Sequence, residues 1–386
     1  MRPSTPYYLI DEARMLPAME RIRFVQEQSG AKCMLALKCF SSWCAFDFMS
    51  QYLAGTTSSS LWEARLGHEK FGGETHGYSV AFAEDEMEEV VSYCDKIIFN
   101  SISQLERLGP YAQSVEVGLR LNPGIGHSLH ELSNPVGKYS RLGVTVEDLT
   151  EDIPSIIQGA MVHVNCDNDD FEIFSSQLQA IEQRFAKLLT HIQWLSLGGG
   201  IAFTNDDYPI NDFSSLLRGF SQRHHLQIYL EPGEASVTRS TSLVVKVLDI
   251  VNNGLPTLIV DAGVETHLLD VLTYSYTPEL DGAVALDRCA DLTNYSGYVY
   301  RVCGRTCLAG DHFGTYVFPR PVAINDELHF SDVGGYSMVK KNFFNGIQMP
   351  SIHLRKLSGE TLLVQQTTYP DFRESLTHTR LLSKSS

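Results

Sequence analysis

The sequence predicts an α/β fold, a (β/α)8 barrel of the TIM type followed by a second, mostly antiparallel β domain. Three observations carry this. Short apolar, β-branched runs return every 20 to 40 residues or so through the first part of the 386-residue chain. Between them lie segments whose apolar residues are spaced three and four apart, the period of an amphipathic helix. After about residue 235 the long helical segments disappear and strand-like runs follow one another directly.

Taken in order, the strand candidates are KCMLALK, the weaker GTTSSS, GYSVAF, KIIFNS, VEVGLRLNP, GAMVHVNC, IQWLSLGGG and QIYLEPGE. The helical patterns include SSWCAFDFMSQYL, SLWEARLGHEKF, EDEMEEVVSYC, SISQLERLG and FSSQLQAIEQRFAKLL. Strands alternating with helices imply a parallel sheet, and eight such units over about 200 residues favour a closed barrel over an open doubly wound sheet. The second part reads as SLVVKVLDIVNN, PTLIVDAGV, GYVYRVCGRTC, FPRPVAINDELHFSDVG and IHLRKLSGETLLVQQ, with NDE and SGE as turns and TPYYLID as an added N-terminal strand. The expected domains are residues 15–235 for the barrel, and 1–14 with 236–386 for the β domain. No internal repeat, low-complexity tract or long linker interrupts them.

Composition narrows the class. With 43% hydrophobic and 20% charged residues and no apolar run near membrane-spanning length, the chain reads as a soluble globular protein. The N-terminal stretch has no apolar core before a small-residue cleavage site, so a cytoplasmic location is expected. The 8 cysteines form no CxxC pair and no Cys/His metal spacing, so reduced thiols and no metal are expected. With 46 acidic against 30 basic residues, the formal charge of −16 disfavours nucleic-acid and anionic-membrane partners and suits a cationic small molecule.

The chemistry-bearing residues fall at strand ends, the face on which such barrels build their sites. Lys38 ends the first strand. A lysine buried there has its pKa lowered by desolvation, and the neutral amine condenses with an aldehyde. LGGG, Leu197 to Gly200, ends the seventh strand, where Gly198, Gly199 and Gly200 let backbone amides approach a phosphate. Glu231, in EPGE at the end of the eighth, can hold a protonated pyridine nitrogen. His163, at the end of the sixth, offers a flat ring to stack on a cofactor. Each residue has a structural reading of its own: an ion-pair lysine, a tight turn, a surface glutamate, a hydrogen-bonded core histidine. Together they describe a site for pyridoxal 5'-phosphate.

On these residues the chain resembles the fold type III, alanine racemase-like, pyridoxal phosphate decarboxylases, the group of the ornithine, arginine and diaminopimelate decarboxylases. The resemblance runs through TPYYLID, LALKC, RLNP from Arg120, HVNC, GGG, EPGEA, DAGV from Asp261, CGRTCLAGD from Cys303 to Asp311, and DVGGYSM with FFNG from Asp332 to Gly346. It implies that Lys38 carries the cofactor as a Schiff base, His163 stacks on the ring, Glu231 binds its nitrogen, and the three glycine amides with the Tyr336 hydroxyl hold the phosphate. It implies further that Cys307, donated from a partner subunit, reprotonates the carbanion, and hence a homodimer with two shared sites.

Two departures bear on the substrate. Glu234 stands where relatives place an arginine that helps hold phosphate, and Leu308 stands where they place an acid for the substrate's distal amine. EPGEA with TCLAGD resembles the carboxynorspermidine (carboxyspermidine) decarboxylase subgroup, whose substrate carries two protonated amines. Glu234 and Asp270 are the acids expected to meet them, with Asp311 next. Diaminopimelate or ornithine/lysine decarboxylation stays open, as does racemisation, which needs a second base. A regulatory homologue without activity would be expected to lose Lys38 or Cys307.

Overall fold

The computed structural model describes residues 3–149, 153–287 and 295–377, which fall into two compact units: Arg14–Thr238, and a second one formed by the residues before and after that span. Among the described residues no helix is long and apolar enough to cross a membrane.

The first unit is an eight-stranded parallel barrel. Its strands are Lys32–Ala36, Gly55–Ser58, Glu74–Tyr78, Lys96–Phe99, Glu116–Asn122, Ile157–Met161, Trp194–Ser196 and Gln227–Leu230. Each pairs with the next in chain order, and the eighth closes on the first through Tyr229 and Leu230 beside Lys32 and Cys33. Helices begin where side chains satisfy the orphan amides of the first turn. Ser60 accepts from the Glu63 amide at 3.3 Å while the Glu63 carboxylate accepts from the Ser59 amide at 2.6 Å. Asp170 caps Phe171–Arg184, which buries Phe174, Gln177, Leu178 and Ile181 along one stripe.

The barrel is filled by Trp194 with Met34, Ile98, Met161 and Tyr229. The indole lies against two glycines: a Cβ on Gly159 would stand 2.0 Å from Trp194, and one on Gly118 2.4 Å. Below it the first residues of four strands form a charged floor. Glu74 meets Lys32, accepts from the Tyr229 hydroxyl at 2.8 Å and lies 3.2 Å from His76 Nε2, while Lys96 reaches Glu116 at 3.0 Å. This floor explains one difference from the sequence reading. The third strand starts at the polar Glu74, not at Gly77, because Glu74 and His76 meet polar partners inside the barrel.

The second unit is a mostly antiparallel sheet system. Strand Thr241–Asn252 runs its first half between Tyr7–Asp11 and Glu327–Phe330, then shifts register between Val247 and Asp249 and pairs with Pro256–Val260. Ser351–Arg355 lies parallel to Tyr7–Asp11, and Thr361–Gln365 antiparallel to Ser351–Arg355. Tyr298–Cys303 lies parallel to Pro256–Val260 and antiparallel to His312–Phe318. The last of these strands, HFGTYVF, is not among the sequence candidates, because the glycine-rich segment before it masks its start. Its Phe313 stacks on Phe330 with ring centroids 4.5 Å apart in the core.

Burial alone would raise the Glu74 pKa, but the bonds from His76, Lys32 and Tyr229 prevail and hold it well below the usual carboxylate range. Its folded pKa is therefore depressed, and its contribution to stability is complete above the unfolded value near 4.3 and is lost only as pH falls below that. Glu74→Gln should destabilise the fold by about 1–2 kcal/mol at pH 7, more than an exposed ion pair and less than a fully buried one because Lys32 and Glu74 are partly open to solvent. Urea unfolding checks this; an unchanged midpoint contradicts it.

Candidate active site

The first barrel strand stops at Ala36, and Lys38 lies two residues further on, in the turn Leu37–Cys39. The turn is pinned to its neighbours: Leu37 donates its amide to Thr57 O at 3.1 Å, and Cys39 donates to Ala36 O at 3.0 Å. Leu37 and Cys39 are buried and Lys38 between them is exposed. The expected burial of this lysine is thus corrected; a two-residue overrun of the strand lifts it above the packed layer. Its charge is felt at Glu63, His163 and Cys166, which places the ammonium among the ends of several strands.

His163 follows the sixth strand by two residues and is half-buried. Its Nδ1 accepts the Gly199 amide at 3.2 Å, which leaves the ring proton on Nε2. Desolvation first, then the charges of Lys38 and Arg120, push its pKa well below the ordinary histidine value. The imidazole is a neutral flat ring. Arg120, buried at the end of the fifth strand, donates to the Tyr78 hydroxyl at 2.7 Å and to His163 O at 3.4 Å, and Tyr78 donates on to Asn100 Oδ1 at 2.9 Å. Burial, chiefly, raises the Tyr78 pKa and keeps it a phenol. Tyr78 carries no role in the sequence reading, because that reading begins the strand at Gly77 and so places Tyr78 at its start rather than its end.

Glu231 directly follows the eighth strand and is 8% exposed. Its Oε1 accepts from Ser196 Oγ at 2.6 Å, and Ser196 Oγ in turn accepts the Gly198 amide at 3.1 Å. Gly198 and Gly200 have φ of 69° and 79°, in the left-handed region that favours glycine. A Cβ at Gly198 would come 2.6 Å from His163, at Gly199 2.2 Å from Glu231 O, and at Gly200 2.1 Å from Asn165 O. The run is therefore glycine so that three strand ends can meet. This revises the expectation that all three amides bind phosphate: two are engaged by His163 and Ser196, leaving the Gly200 amide as the one neither bond takes.

Glu234, three residues beyond Glu231, is exposed, with Oε2 3.4 Å from Cys39 Sγ. Lys38, His163, the glycine run, Glu231 and Glu234 all belong to the barrel unit. An amine, a neutral flat ring, a carboxylate held by one oxygen and a corner stripped of Cβ atoms fit pyridoxal phosphate.

The remaining predicted site residues belong to the β unit. Cys307 is exposed, and its amide donates to Asn345 Oδ1 at 2.6 Å. Tyr336 has a positive φ of 51° after Gly334 and Gly335. One of the substrate acids is corrected, and another already carries an ion pair. Asp311 is 4% exposed, and its two oxygens accept the amides of Val264 and Thr306, each at 2.8 Å, so its acceptors serve its own chain. Asp270 is half of an ion pair with Lys340 at 2.6 Å, and that ammonium also lies 4.9 Å from the centroid of the Tyr336 ring.

This constellation on this barrel defines a pyridoxal phosphate-dependent decarboxylase, and the comparisons agree. Residues 20–238 match the family model of the pyridoxal-dependent decarboxylase, pyridoxal binding domain, and the chain belongs to that family. It is 48% identical to the carboxynorspermidine/carboxyspermidine decarboxylase of Herminiimonas arsenicoxydans, over 97% of this chain and 99% of the relative. The crystal structure of carboxynorspermidine decarboxylase from Campylobacter jejuni, complexed with norspermidine, superposes with a TM-score of 0.90 at 34% identity, covering 97% of this chain and 100% of that one. The carboxyaminopropylagmatine decarboxylase of Synechocystis is 34% identical over 96% of this chain and 95% of the relative.

A neutral His163 is checked by NMR of its ring nitrogens, which should keep the Nε2–H pattern as pH falls through the ordinary imidazole value of about 6.5; a protonation step at or above that value contradicts it. The unfolded imidazole takes its proton near pH 6.5 and the folded one does not, so the fold should weaken as pH falls below that value.

Proposed function

We propose that the chain decarboxylates carboxynorspermidine or carboxyspermidine, giving norspermidine or spermidine and carbon dioxide in polyamine biosynthesis. The observation that carries this reading is the 48% identity over nearly the full length of both chains to an enzyme called carboxynorspermidine/carboxyspermidine decarboxylase. Glu234 and Leu308 support it: neither suits phosphate or a short diamine's distal amine, and an acid beside the cofactor suits an internal ammonium.

Pyridoxal phosphate, when bound, supplies an aldehyde that condenses with the substrate's α-amine and a ring that takes up the electron pair left by carbon dioxide. Lys38 would hold the cofactor through its amine. Glu231, with one oxygen fixed by Ser196, would keep a proton on the ring nitrogen. The His163 ring would pack on the cofactor; being neutral, it would neither compete with Glu231 for charge nor supply a stray proton. The Gly200 amide would hold the phosphate, and the family resemblance gives the Tyr336 hydroxyl the same role. Cys307 of a second copy of the chain gives its thiol proton to Cα, so the working unit is a homodimer with two shared sites.

Glu234 meets the internal ammonium. Asp270, paired with Lys340 through Oδ1, is the acid proposed for the terminal one, while the buried Asp311 carboxylate already accepts two backbone amides. A hydrogen-bonded ammonium–carboxylate pair contributes on the order of 1.5–3 kcal/mol. Two such pairs separate a triamine from diaminopimelate, whose far end is zwitterionic. The sparse cysteines and acidic composition fit a cytoplasmic location.

Turnover of a panel comprising carboxynorspermidine, carboxyspermidine, carboxyaminopropylagmatine, diaminopimelate and ornithine tests the reading. One of the first two should give the highest kcat/KM, and the two should lie within about 200-fold of each other because they differ by one methylene. Highest turnover of diaminopimelate, ornithine or the agmatine derivative overturns it.

A further inference from the structure

Cys307 sits in the loop that joins the antiparallel strands Tyr298–Cys303 and His312–Phe318. Residues Cys307 to Gly310 are all exposed, and the tip is Leu-Ala-Gly. Such a tip is expected to open readily unless something holds it. Proton delivery from a side chain needs the thiol within hydrogen-bond reach of the accepting carbon, and a displacement of about 1 Å can cost about 100-fold in rate.

Two side chains hold this loop from opposite flanks. On one flank the buried Asp311 carboxylate bridges it to the Ala262–Val264 turn: Oδ1 takes the Val264 amide and Oδ2 the Thr306 amide, each at 2.8 Å. The Asp311 backbone adds two bonds, accepting from the Gly304 amide at 3.0 Å and donating to Leu308 O at 2.9 Å, and the Arg305 amide donates to Ala262 O at 3.1 Å. A Cβ on Gly304 would stand 2.3 Å from that carboxylate, so glycine there is what allows the approach. On the other flank Asn345, at φ 57° and ψ 8°, accepts the Cys307 amide itself at 2.6 Å.

Asn345 is in turn braced. Helix Tyr369–Leu376 places Phe372 with its ring centroid 5.5 Å from that of Phe343 and its Cζ 3.2 Å from where a Cβ on Gly346 would be. The space between the Cys307 loop and the Asn345 segment is an open cavity of about 600 Å³ lined by Arg305, Thr306, Cys307, Asn345, Ile347 and Gln348. The thiol residue thus borders open space while its backbone is fixed.

We propose that Asp311 and Asn345 are positioning residues that clamp the Cys307 loop, setting where the proton donor arrives. The proposal rests on the reading of Cys307 as that donor: the S–H bond breaks, its proton forms the new C–H bond at the carbon that lost carbon dioxide, and the thiolate regains a proton from water. Asp311, expected from sequence to grip substrate, acts instead through the loop's backbone.

Asn345→Ala, Asn345→Asp, Asp311→Asn and Cys307→Ala, with Asn345→Ala also combined with Cys307→Ala, test it. Two readouts are used: steady-state kinetics of the holoenzyme, and the iodoacetamide alkylation rate of Cys307 in cofactor-stripped protein, mapped by peptide mass. Asn345→Ala should lower kcat about 10-fold or more with KM little changed, and alter the alkylation rate severalfold. Asn345→Asp, which keeps an acceptor oxygen, should recover both. Asn345→Ala should add nothing in the Cys307→Ala background. Asp311→Asn should shift alkylation the same way, since its amide group presents a donor to a donor.

Unchanged kcat and alkylation in Asn345→Ala and Asp311→Asn overturn the proposal, as does an equal loss from Asn345→Ala with and without Cys307. Full activity of Cys307→Ala removes the donor reading and the catalytic half of the proposal with it. The anchoring half then stands or falls on alkylation rates alone.

Discussion

The Gly198–Gly200 corner is the constraint on which the barrel site depends. One amide of it goes to His163 Nδ1 and the preceding one to Ser196 Oγ, which fixes Glu231 Oε1. A single turn therefore sets the tautomer of one group and the orientation of another, from three different strands. The backbone must pass within about 2 Å of where side-chain carbons would be, so no residue with a Cβ fits this path. Barrel closure brings the remaining group: the eighth strand pairs with the first, and Ala36 donates to Pro232 O at 3.2 Å, so the Lys38 turn lies beside the Glu231 turn.

Much of this was legible in the sequence. The alternation of apolar runs with helical patterns marks the (β/α)8 barrel, and polar residues at the ends of those runs mark the candidate site, because parallel barrels gather strand ends on one face. What periodicity did not reveal was polar strand interior. Glu74, His76, Lys32 and Lys96 pair with one another under Trp194, so a strand that starts ETH does not read as apolar. The strand His312–Phe318 was hidden for the opposite reason, following a segment whose glycines and small residues look like loop.

The substrate acids were the least legible. Asp311 and Asp270 are both acids near family motifs, and sequence offers no way to tell an acid with free oxygens from one already engaged. Asp311's two oxygens are taken by backbone amides, and one of Asp270's by a lysine seventy residues on. Glu234 differs from both in being exposed in the barrel unit, near Cys39. The same geometry that removes Asp311 from substrate binding gives it a use in holding the Cys307 loop.

The account turns on the Lys38 amine as the group that carries the cofactor. Borohydride reduction of the holoenzyme, followed by peptide mapping, addresses this directly, because it converts the reversible link into a permanent mass tag. The tag is predicted on the peptide containing Lys38 and lost in Lys38→Ala. A tag on any other lysine, or none on a protein that retains activity, contradicts the account.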